Sequence, residues 1–194
     1  MLDDTAADAI VEWAPHGIVE VGAGTGYWAR QLADRGVDVV AYDPAPPPSA
    51  ANPWFADAEP WFDVATGDES AAAAHADRCL LLVWPTKNET WAADAVRLFH
   101  EAGGEHAVYV GEPTGGRTGD DVFHAMTGGL DRCYHCELGL PDVVCVRDVP
   151  SLFEVHRRVP LPRWDGFDDA VTLLRRVEPQ AQPRPKTPWW RRRR

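Results

Sequence analysis

The 194-residue sequence has no apolar run near the roughly eighteen residues that a membrane span needs, and it has no internal repeat. A spanning helix or a solenoid is therefore not expected. Cations are also short, with 19 Lys+Arg against 30 Asp+Glu and a formal charge of −11, which argues against a general nucleic-acid binder. The shortage is uneven. Arg184 to Arg194 hold six cations and no acid, so residues 1–183 carry thirteen cations against thirty acids, a charge of −17. A basic, apolar leader is missing as well: the chain opens Met1-Leu-Asp-Asp-Thr, so no export is expected and the location should be cytoplasmic. Cysteine is scarce, and its four copies in such a compartment read as thiols or metal ligands before disulfides.

What the chain does have is 45% hydrophobic residues, enough to bury a core at this length. Short apolar runs alternate with helix-like stretches, which predicts an α/β fold with a doubly wound, mostly parallel sheet. Strands are expected at Ile18–Val21, Val37–Tyr42, Trp61–Ala65, Cys79–Trp84 and Ala107–Val110, then a late antiparallel pair at Phe153–Val159 and Val171–Val177. That makes a sheet of the seven-stranded type. Cys79-Leu-Leu-Leu-Val-Trp84 is apolar throughout, as a central strand buried on both faces would be. Helices are expected at Ala6–Trp13, Thr25–Arg35, Ser70–Ala76 and around Trp91–Phe99. Another should start at Thr118 with Asp121 three positions on, and run through Met126. Six prolines between Pro44 and Pro60 forbid regular structure there and predict a surface loop, which could serve as a lid. Residues 1–178 read as one domain and 179–194 as an unpacked Pro/Arg-rich tail.

Glu20-Val-Gly22-Ala-Gly24-Thr-Gly26 lies between the first predicted strand and a predicted helix. Glycine there allows a tight turn and a close approach of backbone to a ligand. The dinucleotide spacing G-x-G-x-x-G fails because Tyr27 occupies the third glycine position, and no Gly-Lys-Ser/Thr follows to make a P-loop. With Asp43 closing the second strand, Ile18 to Asp43 strongly resembles the class I methyltransferases that use S-adenosylmethionine. The resemblance extends more loosely over residues 6–177. It implies a Rossmann-like core with S-adenosylmethionine as cofactor. Glu20, Gly22, Gly24 and Gly26 would line the amino-acid and ribose parts of the cofactor, and Asp43 would take both ribose hydroxyls. Asp68, in Thr66-Gly67-Asp68, matches an acid beside the adenine, or equally a turn or helix-cap residue.

Ligands of such sheets meet the carboxyl ends of the strands, so an acceptor should face strands four and five. Strand four ends Trp84-Pro85-Thr86, where base- and protein-directed relatives carry Asp/Asn-Pro-Pro-Tyr/Phe, so the group that would hold a target nitrogen is missing. Trp84 is then either an aromatic wall beside the methyl donor or a core residue. Glu112, at the tip of strand five, is the best-placed candidate base. Asp120, Asp121 and His124 share one helix start, where Asp121 reads first as a capping acid and His124 as an ordinary packed or surface histidine, with a catalytic role second. Trp84-Pro-Thr, Val110-Gly-Glu112 and Thr118 to His124 also look like a group of uncharacterised actinobacterial methyltransferase-like proteins.

Cys133, Cys136 and Cys145 form one C-x-x-C knuckle and a third thiol; with His124 or His135 they would make up a zinc set. A second knuckle is missing, so packed free thiols are the preferred reading and zinc the lesser one, while Cys79 belongs to the core. The resemblance implies a methyltransferase acting on a small-molecule acceptor. The alternatives are a non-catalytic binding or scaffolding module of the same fold and, last, a nucleic-acid methyltransferase recruited by the arginine tail. Oligomeric state is open.

Overall fold

The computed structural model describes residues 2–130, 146–162 and 165–178. Its elements are α1 (Asp4–Trp13), β1 (Ile18–Val21), α2 (Tyr27–Ala33), β2 (Val39–Asp43), β3 (Val64–Thr66), α3 (Ala71–Ala74) and β4 (Cys79–Val83), followed by α4 (Trp91–Glu101), β5 (His106–Gly111), α5 (Asp121–Met126), a 3-10 turn at Val146–Asp148, β6 (Phe153–Pro160) and β7 (Ala170–Arg176). One seven-stranded sheet runs β3-β2-β1-β4-β5-β7-β6. The first five strands pair in parallel, and β7 is antiparallel to both β5 and β6. This is the doubly wound α/β class expected, late antiparallel pair included. Among the described residues no helix is long and apolar enough to cross a membrane.

Alternation along the strands sorts the core into two layers. Ile18, Ala41, Leu81, Val108 and Val171 face one side with Ile10 of α1 and Leu32 of α2. Val19, Leu80, Leu82, Tyr109 and Leu174 face the other with Ala72 of α3, Val96 and Phe99 of α4 and Phe123 of α5. Every residue of β1 is buried, which is why it carries no polar alternation apart from Glu20. Glu20 and Asp43 share the parity of Ile18 and Ala41, so both point to the α2 side.

Several boundaries differ from expectation for local reasons. Helix α2 starts at Tyr27, after Gly26, whose φ of 72° is left-handed. Strand β3 is only three residues, because pairing with β2 begins at Ala41↔Val64; the Trp61 N–H is instead bonded to Thr25 O at 2.7 Å. Helix α5 is capped by Asp120, whose side chain accepts from Phe123 N at 2.7 Å, and not by Thr118. The Thr118 hydroxyl is bonded elsewhere, as described below. The thiols of Cys133, Cys136 and Cys145, His135, and the 179–194 tail lie outside the described residues; Cys79 is buried as expected.

Phe99 is completely buried and stacks on Phe153 at 6.1 Å, joining α4 to the outer strand β6. Phe99→Ala should cost about 3–5 kcal/mol, the range for emptying a large aromatic site, as read by urea unfolding.

Candidate functional site

The chain leaves β1 through three glycines in left-handed backbone, with φ of 73° at Gly22, 55° at Gly24 and 72° at Gly26. Space is also short there. A Cβ on Gly24 would lie 2.8 Å from the Phe55 ring, and one on Gly22 would lie 2.7 Å from Trp91. The expected proline-rich surface loop therefore folds back over the glycine loop and places Phe55 on it. Asn52 organises that arm: its side-chain oxygen accepts from Trp54 N and Phe55 N, and its amide donates to Ala45 O.

The structure brings Glu20, the three glycines and Asp43 together. Gly22 N and Ala23 N both donate to Tyr42 O, and Gly24 N donates to Asp43 Oδ2 at 2.9 Å. Ala45 N donates to Asp43 Oδ1, also at 2.9 Å. Asp43 thus ties the loop to the end of β2, and each oxygen keeps a lone pair for a further donor. Glu20 is 1% exposed, and its Oε2 has no hydrogen-bond partner among the described residues. Burial, opposed by a bond from the Ala29 backbone and reinforced by the Asp43 charge, pushes the Glu20 carboxyl up to about 8. Glycine backbone, an orphaned buried acceptor and an anchored carboxylate suit a ligand carrying amino and hydroxyl donors. Asp68 does not join this group by any hydrogen bond that the structure shows. It is exposed, and it accepts from Ser70 N and Ser70 Oγ, which holds its carboxyl below the ordinary value.

A second group forms where β4 and β5 end. Trp84 N donates to Val110 O, Gly119 N to Pro85 O, and Thr86 bridges Thr118. Thr118 is the hub. Its hydroxyl meets the Tyr109 hydroxyl, accepts from Glu112 N at 3.0 Å, and its carbonyl bonds His124 Nε2 at 2.9 Å. Three expected residues, Trp84, Glu112 and His124, therefore belong to one rim. Glu112 is buried, with Oε2 accepting from Arg117 N at 2.7 Å and Oε1 from Asp168 N at 3.2 Å, so its carboxylate ties two loops together. His124 is 4% exposed, and burial holds its imidazole below the usual value. Burial likewise pushes the Tyr109 phenol up, keeping it a hydroxyl donor. Asp169, which sequence reasoning missed, immediately precedes β7 next to this rim. Asp120 and Asp121 serve the start of α5, Asp120 as its cap.

β4 lies next to β1 in the sheet and β5 next to β4, so one to two spacings of about 4.8 Å separate the strand ends that carry the two groups. Among the described residues no three or more His, Cys, Asp or Glu gather as a metal site.

No protein-family model and no curated protein matches the chain. Solved structures similar to it include magnesium protoporphyrin IX methyltransferase from Synechocystis PCC 6803 with bound SAH, at 12% identity over 89% of this chain and 83% of that one, TM-score 0.48. Human N-acetylserotonin methyltransferase in complex with SAM aligns at 12% identity over 90% of this chain and 51% of that one, TM-score 0.47. A 16S rRNA (adenine(1408)-N(1))-methyltransferase from Catenulisporales acidiphilia aligns at 14% identity over 92% and 93%, TM-score 0.45.

Two outcomes test this geometry. Because folding raises the Glu20 pKa, its contribution to stability is complete below the ordinary carboxyl range and is lost as pH climbs through about 8. Glu20→Gln cannot ionise, so its unfolding free energy should fall less than that of the unchanged chain between about pH 5 and about pH 9, read by urea titration. Gly24→Ala should cost about 1–2 kcal/mol for the left-handed backbone alone, with the Phe55 contact adding to it, read by thermal unfolding.

Proposed function

We propose that the chain is an S-adenosylmethionine-dependent methyltransferase acting on a small-molecule acceptor. The observation that carries this reading is the Glu20-x-Gly22-x-Gly24-x-Gly26 turn after β1, bonded through Gly24 N to the carboxylate that ends β2. The residues fit the cofactor by chemistry. Glu20 Oε2 is an unfilled acceptor suited to an ammonium group, and Asp43 has lone pairs suited to two vicinal hydroxyls. When bound, the cofactor supplies a methyl group on a positively charged sulfur. The remaining chemistry lies with the chain. Gly22, Gly24 and Gly26 let backbone approach, Asp43 orients, and Phe55 shields the loop from water.

Alignment of donor and nucleophile can supply most of the acceleration in such a transfer, so a dedicated acid–base pair is not required. The −17 carried by residues 1–183 favours a cationic cofactor and opposes a polyanionic acceptor. Non-catalytic binding by the same loop has no observation that favours it over transfer.

Isothermal titration of the full chain with S-adenosylmethionine and S-adenosylhomocysteine should show binding of both, and absence of binding by either removes this reading. Asp43→Ala should weaken binding by about 1–3 kcal/mol, the loss of a charge-assisted hydrogen bond, with Asp43→Asn falling between the two. Thermal unfolding of both variants separates lost contact from a lost loop.

A further inference from the structure

The rim formed by β4, β5 and β7 carries features that cofactor binding does not use. Trp84 has a φ of 48°, left-handed backbone that a bulky L-residue rarely adopts. Such strain persists only where neighbouring bonds hold it, and here the Val110 carbonyl holds Trp84 N at 2.8 Å. The kink keeps the indole out of the core, 42% exposed, with the Phe167 ring 5.7 Å away at 41°. Phe167 already carries a cation on its face: the Arg117 guanidinium lies 4.2 Å from the ring centroid, fixed by a bond to Gly166 O.

Asp169 lies two residues beyond Phe167, and its neighbour Ala170 pairs with Gly111 at the end of β5. Its side chain is half-buried, and Oδ1 is shielded without a hydrogen-bond partner among the described residues. An orphaned acceptor of this kind is costly until a donor reaches it. Burial first, then the charge of Glu112, hold the Asp169 carboxyl above its usual value, while a bond from the Trp84 side chain pulls it down. Glu112 is held in place, since both its oxygens accept from backbone N–H groups, and it stands beside Asp169 in the rim. The rim thus holds the exposed Trp84 indole, the half-buried Phe167 ring with Arg117 on its face, one shielded carboxylate oxygen without a partner and a fixed neighbouring carboxylate.

We propose that Trp84, Phe167 and Asp169 form an acceptor subsite for a small aromatic amine, with the rings taking its apolar body and Asp169 accepting from its ammonium group. As the place of the methyl acceptor, the subsite rests on the methyltransferase reading; as a binding site for an aromatic amine, it stands on the rim alone. A neutral ring would gain the aromatic faces but leave the carboxylate oxygen unfilled. An anion would meet two carboxylates against one guanidinium, Arg117, which Gly166 O and the Phe167 face already hold.

The test uses three probes of one shape, 2-phenylethylamine, 2-phenylethanol and phenylacetate, titrated against the full chain with and without S-adenosylhomocysteine. The amine is expected to bind about tenfold or more tightly than the alcohol, the worth of one charge-assisted bond, with the anion weakest. Asp169→Asn should bring the amine down to the alcohol, and Trp84→Ala should weaken both together. Equal affinity of amine and alcohol, failure of all three at millimolar concentration, or a folded Asp169→Asn that keeps the preference overturns the proposal. If Asp169→Asn does not fold, the ranking on the unchanged chain decides by itself. The ranking without S-adenosylhomocysteine also keeps the two readings apart, because loss of cofactor binding leaves it intact.

Discussion

Two backbone N–H groups converge on the carboxylate of Asp43, one from the glycine loop and one from the chain leaving β2, each at 2.9 Å. The loop holds its left-handed path partly through this anchor, and the path sets where α2 begins. α2 in turn covers Glu20 and closes one layer of the core through Ala29 and Leu32. A carboxylate is suited to this task because it accepts on both oxygens without needing a proton, and charge-assisted bonds are stronger than neutral ones. Glu20, one strand over, is the counterpart: a buried carboxyl with too few donors, whose pKa burial pushes up. The two acids share one side of the sheet and one neighbourhood, yet backbone donors reach both oxygens of Asp43 and leave Oε2 of Glu20 without any.

The sheet was legible in the sequence where its physics is local. Cys79 to Val83 is apolar at every position because β4 sits between β1 and β5 with helices on both faces. Asp43 was singled out by the resemblance, and the parallel βαβ unit accounts for its place near Glu20 by setting β2 beside β1, with Glu20 opposite Ala41. Strand and helix ends were less so. The chain from Trp61 to Asp63 has strand-like residues, but pairing with β2 starts only at Ala41↔Val64, and Trp61 is bonded to the glycine loop instead.

The rim was legible only in part. Trp84 and Glu112 stand out by residue type at strand ends, and His124 at a helix start. Their connection through Thr118 depends on Tyr109, nine positions earlier, and on a bridge to Thr86. Thr118 in a sequence looks like a helix start; in the fold its hydroxyl has better partners and Asp120 takes the cap. Asp169 could not be found by spacing at all. Its place follows from β7 entering the sheet antiparallel between β5 and β6, which brings Ala170 opposite Gly111. Phe55 is similar: prolines announce an irregular segment, but not where its aromatic ring comes to rest.

The bonds lacing Trp84, Pro85, Thr86 and Asn88 to Val110, Thr118 and Gly119 join the exits of β4 and β5 into one small antiparallel patch. Amides in that patch can exchange with solvent only by breaking several bonds together, so the two exits should behave as a single cooperative unit. The arm from Pro44 to Pro60 is built differently, from short internal bonds around Asn52 and one ring resting on the glycine loop. Side chains tie it to the rest of the fold, the Asp43 carboxylate to Ala45 N and the Phe55 ring to Gly24, whereas the two strand exits are tied to each other by backbone.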